Sequence, residues 1–226
     1  MANKKRKRRS DGIATRKRVL AVATSMFAAG GYEATSLRQI AAAADIDIAT
    51  LKYHFDDKSN LFSLVYQQGH ETFVARLMPI ISQFDEVSDA ADVRRVVREI
   101  VTSMHDFVSE EPEFVKLTLF RLLEEDIDTI DLEDDLQKIA LDMLEERFKS
   151  LIERGVVAPI DPRALVVFLI SSFSMWHVSA RLKKSWMNPP YLDTPEGRAR
   201  SERYFITTFE RLLGVEEDAS AANAGD

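Results

Sequence analysis

The chain has 226 residues, of which 46% are hydrophobic and 30% charged; it can bury a sizeable core and is neither disordered nor fibrous in composition. Only 15 residues are Gly or Pro and none is Cys, which argues against turn-rich β-sandwiches and barrels and excludes disulfides, thiolate-bound zinc, iron–sulfur clusters and thiol catalysis. The net charge of −7 divides unevenly: residues 1–60 hold 12 basic and 6 acidic side chains, whereas the remainder holds 18 and 31, so a polyanionic partner suits the head alone.

The chain opens on a basic run, Lys4–Arg9, with no apolar stretch behind it, so it does not read as a signal peptide. Residues 1–10 are expected to form a disordered basic arm that either stays solvated or lies along phosphates. Asp11 to Ala29 has helical period through Val19, Leu20, Ala23, Met26 and Phe27, and Gly30-Gly31 ends it. Thr35 or Ser36 can N-cap a helix over 37–44, Asp45-Ile46-Asp47 breaks the chain, and Ile48–Phe55 forms a third short helix. Two short helices across a three-residue turn, behind a supporting helix, describe a helix-turn-helix. Asp56-Asp57 caps a long fourth helix, with a bend expected near Pro79.

Beyond it, Val93, Val96, Val97, Ile100, Val101, Met104, Phe107 and Val108 share one helical face. Pro112 starts the next helix. Eight acids between Glu124 and Asp135 lack the glycine and oxygen-ligand spacing of a calcium loop and read as a solvated linker. A helix from Leu132 to Ile152 stops at Gly155, another opens at Asp161-Pro162 and must end by Pro189-Pro190, and the last runs from Thr194-Pro195 to Gly214. The fold class is all-α, about nine helices: a three-helix head (11–58) on an antiparallel helical bundle (59–214), with a disordered tail (215–226). The longest wholly apolar run, Ala164 to Ile170, is far short of the ~18 residues of a membrane span, so no membrane partner is expected and the chain reads as cytoplasmic.

The run Phe27-Ala-Ala-Gly-Gly-Tyr-Glu-Ala-Thr-Ser-Leu-Arg-Gln-Ile-Ala41, followed by Thr50-Leu-Lys-Tyr-His-Phe-Asp-Asp-Lys58, resembles the tetracycline-repressor (TetR) family of transcriptional regulators over about residues 14–65. The resemblance implies a double-stranded DNA operator as partner, with Asp47, Ile48, Ala49 and Thr50 facing bases and Tyr53, His54 and Lys58 holding phosphates. Thr35 and Ser36 could offer a second helix N-terminus to the backbone, and Arg38 could reach a base or a phosphate. Two positions depart from the family pattern. Lys52 stands where tyrosine is common and can still hold a phosphate; Asp45 stands where glycine is common and tolerates the left-handed turn.

Family membership further implies a homodimer through the last two helices and a small-molecule effector in the body. The helix after Pro162 is apolar on more than one face, consistent with one side on the core and another on a second subunit. Met104, His105, Phe114, Phe120, Phe173, Trp176 and His177 are candidates to line an apolar effector site, although each could equally be core packing. The function expected is a repressor that a largely apolar ligand releases from a palindromic operator. The alternatives are a ligand-independent DNA-binding dimer and an activator. An enzyme is disfavoured: His70-Glu71 opens like a zinc-protease helix, but Val74 stands where the second His is required. No cofactor and no metal site are expected.

Overall fold

The structure is a computed structural model that describes residues 2–123, 135–180 and 194–217. Among the described residues every regular element is helical: α1 (Ala2–Gly30), α2 (Leu37–Ala43), α3 (Ile48–Phe55), α4 (Lys58–Ile81), a 3₁₀ turn (Ser82–Glu86), α5 (Ala90–Glu110), α6 (Pro112–Leu123), α7 (Asp135–Glu153), α8 (Pro162–Ala180) and α9 (Pro195–Leu212). No helix among them is long and apolar enough to cross a membrane. The fold is all-α, as its sequence pattern indicates.

Three boundaries differ from the sequence expectation. The helix of α1 begins at Ala2, so it takes in the segment expected to be a disordered arm; residues 2–11 contain no Gly or Pro and are mostly good helix formers. The described residues fall into two compact units, one within 1–72 and 111–134, the other within 73–110 and 135–226. The head therefore does not end at residue 58: it includes the first turns of α4 and all of α6. Finally, Val215 belongs to the second unit rather than to a tail, since it is buried and its carbonyl accepts from Arg94 Nη1 at 2.8 Å. The acidic segment up to residue 134, Pro189-Pro190 and residues 218–226 lie outside the described residues.

In the first unit, α1 buries Val19, Ala23 and Phe27, one helical stripe, and packs along α6 and α2. Its partners on α4 are Leu61, Phe62, Val65 and Tyr66, all buried. The rings of Phe27 and Tyr32 each meet Phe62 edge-on at 5.1 Å, and Phe114 of α6 lies 5.4 Å from Tyr66. These contacts explain the wider boundary: without α4 and α6 the aromatic face of α1 would be left in water.

Turn chemistry sets where α1, α2 and α3 start and stop. Gly31 (φ 76°) ends α1, and Thr35 Oγ1 donates back to the Gly31 carbonyl at 2.8 Å. Ser36 and Gln39 close α2 with a reciprocal capping box. At the other end of α2 the Asp45 and Ile46 amides reach back to the Ala42 and Ala41 carbonyls, a Schellman pattern with Asp45 (φ 52°) in the left-handed position that glycine ordinarily takes.

The second unit is organised on α5, which buries Val93, Val96, Val97, Val101, Met104, His105, Phe107 and Val108 and packs on α8 and α9. Arginines pin the chain ends around it: Arg154 donates to the Val87 carbonyl at 2.8 Å and Arg147 pairs with Asp85 at 2.7 Å. Helices α7 and α9 both end in Schellman turns, on Gly155 and Gly214.

Gly69 on α4 gives a test of the first unit. A Cβ there would collide with the Phe114 ring. An alanine ordinarily stabilises a helix interior by about 1 kcal/mol over glycine, but overpacking costs about 1–3 kcal/mol. Gly69→Ala is expected to lower the thermal midpoint in a calorimetric scan, with Phe114→Leu in the same chain restoring part of the loss.

Candidate nucleic-acid interface

Helix α3 has eight residues and buries two of them, Leu51 and Phe55, both inaccessible to solvent. The remaining side chains are left to cover its outward faces. Tyr53 is 84% exposed, Lys52 and Ala49 are exposed, and Ile48, Thr50 and His54 are half-buried. A short helix does not hold its own shape in water, so its orientation is set by its packing on α2 and by contacts from α1. Arg16 supplies two of these: Nη1 donates to the His54 carbonyl at 3.1 Å, and Cζ lies 4.9 Å from the Phe55 ring centroid. The sequence reading did not single out Arg16, because 38 positions separate it from its partner.

Each short helix start in this unit is closed by a side chain of the unit itself. Asp47 N-caps α3, with Oδ1 accepting from the Thr50 amide at 2.7 Å and Oδ2 from the Thr50 hydroxyl at 2.9 Å. These bonds hold the Asp47 carboxyl below its ordinary carboxylate range. Asp57 accepts from the Asn60 amide at 2.8 Å at the start of α4. Ser36 accepts from the Gln39 amide at 3.3 Å, while Gln39 Oε1 accepts from the Ser36 amide at 2.9 Å.

The expected DNA set is thus only partly available. Thr35 is a correction: it is 4% exposed and its hydroxyl is committed to the Gly31 carbonyl, so it acts inside the turn and cannot reach a phosphate. Ser36, Arg38, Asp47, Ala49, Lys52 and Tyr53 are exposed. The ammonium of Lys58 rests 4.0 Å from the centre of the Tyr32 ring, a cation–π contact that positions it at the start of α4. Tyr53 and His54 meet edge-on at 5.3 Å.

The expected effector set is divided between the units. Phe114 and Phe120 sit on α6 in the first unit, where Phe114 is buried against Tyr66. Met104, His105, Phe173, Trp176 and His177 belong to α5 and α8 in the second. There the Phe173 and Phe205 rings stack at 4.0 Å, with the His105 ring 5.0 Å from Phe173 and its Nε2 3.2 Å from Ser201 Oγ. Trp176 stacks on Tyr204 at 5.6 Å, and its buried Nε1 makes no hydrogen bond among the described residues. Phe205 and Ser201 complete this cluster from α9. The sequence reading missed Ser201 and did not join Phe205 to these residues, because no local pattern links residues 96 positions apart.

Burial pushes the His105 imidazole down to about 4 from its usual 6.5, with Arg198 and His177 acting in the same direction and the Glu202 and Asp106 carboxylates against it. His105 is therefore neutral in the folded chain at neutral pH. Its stabilising contribution is complete above pH 6.5 and is lost as the pH falls from there towards 4, because the unfolded chain takes up the proton first. The loss over that window is on the order of 3 kcal/mol. In thermal melts from pH 7.5 to 4.5, the native chain is expected to lose stability more steeply than a His105→Gln variant; parallel curves would contradict a buried neutral imidazole.

Comparison with known proteins agrees with this geometry. Residues 19–65 match the family described as bacterial regulatory proteins, tetR family. The HTH-type transcriptional regulator AcrR of Shigella flexneri is 28% identical over 120 residues, 46% of this chain and 56% of AcrR, so the chain spans little more than half of that relative's length. A TetR family transcription regulator from Marinobacter aquaeolei VT8 superposes with a TM-score of 0.64 at 17% identity, over 89% of this chain and 97% of that one. AibR, solved in complex with isovaleryl coenzyme A and operator DNA, superposes at 0.57 with 20% identity, over 86% of this chain and 97% of its own. At these identities the two structures speak for the fold.

Proposed function

We propose that the chain is a transcriptional regulator of the tetR family, a homodimeric repressor that a small, largely apolar ligand releases from a palindromic operator. The observation that carries the DNA half of this reading is the solvent face of α3. Tyr53, Lys52 and Ala49 stand exposed on a helix whose other side is anchored by Leu51 and Phe55. A helix held this way can lay its first turn into a major groove while Tyr53, Lys52 and Lys58 meet the backbone. Arg38, exposed in the first turn of α2, would extend the backbone contacts.

The second unit supplies reasons for a dimer. Val167, Phe168 and Met175 on α8 and Tyr204 and Leu212 on α9 are all more than 40% exposed, although each is large and apolar or aromatic. Phe168 and Phe209 meet at 5.8 Å, so the two helices offer a joined surface. A patch of this kind on a folded chain marks an interaction surface. A two-fold axis through it would pair two heads on half-sites about 34–36 Å apart.

For the ligand, the support is chemical. The cluster of Phe173, Trp176, Phe205 and His105 is apolar, yet it carries an indole N–H without a partner among the described residues and a neutral imidazole. A ligand with an apolar body and one accepting oxygen would satisfy both. The structure of AibR in complex with isovaleryl coenzyme A and operator DNA is a precedent for this fold holding an acyl compound alongside DNA. Moving operator occupancy from 99:1 to 1:99 requires about 5.5 kcal/mol of differential affinity.

Selection from a random double-stranded DNA pool at physiological salt tests the core of the reading, with one enriched palindrome expected. On that palindrome, Tyr53→Ala should weaken binding by at least about tenfold, 1.4 kcal/mol, with the dimer intact in sedimentation. Val167→Asp should instead shift the sedimenting species from dimer to monomer while the helical circular-dichroism signal persists. Enrichment of no sequence would overturn the assignment as a regulator of a defined operator.

A further inference from the structure

The basic run at the start of the chain is a motif that the operator reading leaves unassigned. Residues 2–10 hold six consecutive cations, Lys4 to Arg9, with no acid and no apolar side chain beyond Ala2. They continue α1, which is one helix from Ala2 to Gly30. Like charges four positions apart on a helix, here Lys4–Arg8 and Lys5–Arg9, repel one another. This part of α1 therefore calls for anions that its own sequence does not provide.

Two contacts place the root of the segment. Arg16 Nη1 donates to the His54 carbonyl at 3.1 Å, and a Cβ at Gly12 would lie 3.9 Å from His54 Cε1. Helix α1 thus leaves the head beside the end of α3 that bears the exposed Tyr53. Helical register extends the argument. The stripe that buries Phe27, Ala23 and Val19 passes through Arg16 and Gly12 and returns at Arg9, Arg8 and Lys5. One register of α1 is apolar along the core of the head and basic before it. A membrane surface fits this segment poorly, because a helix lying in a lipid interface needs bulky apolar residues opposite its cations. The DNA backbone asks for charge alone.

We infer that residues 4–9 are a further DNA-contact element: a helical arm that lies along the sugar–phosphate backbone next to the phosphates reached by Tyr53, with Lys5, Arg8 and Arg9 as its phosphate-binding register. The inference rests on the DNA-binding reading of α3 and extends it to a segment outside the helix-turn-helix. The attraction is that of side-chain charge and not of the helix end, so the arm adds affinity and salt dependence and selects no base. From Lys5 to Arg9 the helix advances about 6 Å, and each strand carries a phosphate about every 3.4 Å of duplex axis. One arm therefore meets about two phosphates.

Two triple variants, each exchanging cations for glutamine, a good helix former, remove equal charge from the arm. The first is Lys5→Gln with Arg8→Gln and Arg9→Gln; the second is Lys4→Gln with Arg6→Gln and Lys7→Gln. Binding is measured from about 50 to 200 mM salt on the selected operator and on an unrelated duplex. The first variant is expected to flatten the plot of log K against log salt by about 2 units for each head bound. It should weaken binding to both duplexes and leave the selected palindrome unchanged. The second variant should flatten the plot by less than half as much. Slopes equal to the native one in both variants would show an idle arm, and equal losses in both would show a tail acting through net charge alone; either result overturns the inference while operator binding stands. A native chain that selects no palindrome would overturn the operator reading, and the slopes on the unrelated duplex would still decide the arm.

Discussion

The anchoring of α3 on α2 and α1 is the constraint from which the helix-turn-helix arrangement follows. An isolated eight-residue helix is unstable in water, and this one buries only Leu51 and Phe55. Its position is fixed by what those two side chains meet and by Arg16, which bonds the His54 carbonyl and covers the Phe55 ring. Arg16 is thus spent on structure although it lies in the most basic part of the chain. The guanidinium suits this position better than an ammonium would, since it can stack on a ring and donate to a carbonyl at once. Helix α1 can serve as the support because Phe27, Phe62, Tyr66 and Phe114 extend its packing through α4 to α6.

The same shortness explains the side-chain caps. Two of the helices that follow α1 have seven and eight residues, so their unpaired terminal amides are a large share of their backbone. Ser36, Gln39 and Asp47 satisfy those amides locally, and Asp57 does so for α4. The consequence is that helix N-termini are not the open anion sites that the sequence suggests. In the operator complex proposed above, attraction to the DNA backbone would come from side chains with charge of their own, Lys52, Lys58 and Arg38, and from the +6 balance of residues 1–60.

Helix limits around the head were legible because their signals are local. Gly30-Gly31, the Ser36 cap and the Asp45-Ile46-Asp47 break each lie within four residues of the boundary they set, and α3 spans Ile48–Phe55 as its pattern indicates. Asp45 in the left-handed conformation was legible for the same reason. What was not legible is long-range. Thr35 reads as a helix cap next to Ser36, and only the return of its hydroxyl to the Gly31 carbonyl removes it from the surface. The inclusion of α6 in the head depends on Phe114 lying over Gly69 and beside Tyr66, which no periodicity announces. The effector candidates were grouped by residue type, whereas packing assigns Phe114 and Phe120 to one unit and His105, Phe173 and Trp176 to another.

Helix α8 shows why an apolar pattern can be right about burial and silent about its partner. Its residues are apolar nearly all the way round, and the structure divides them. Phe173 and Ser174 are buried towards α5 and α9, while Val167, Phe168 and Met175 stay in solvent. One rigid element thus joins the His105–Ser201–Phe205 core to an exposed apolar face. Phe173 stacks on Phe205 at 4.0 Å, and Phe205 follows Tyr204 directly and lies one turn before Phe209, the residues that meet Trp176 and Phe168. Close-packed rings cannot admit a ligand by small elastic adjustment. A ligand of the kind proposed above, entering beside Phe173, would have to displace α8 against α9, and the same side chains would carry that displacement to the exposed face.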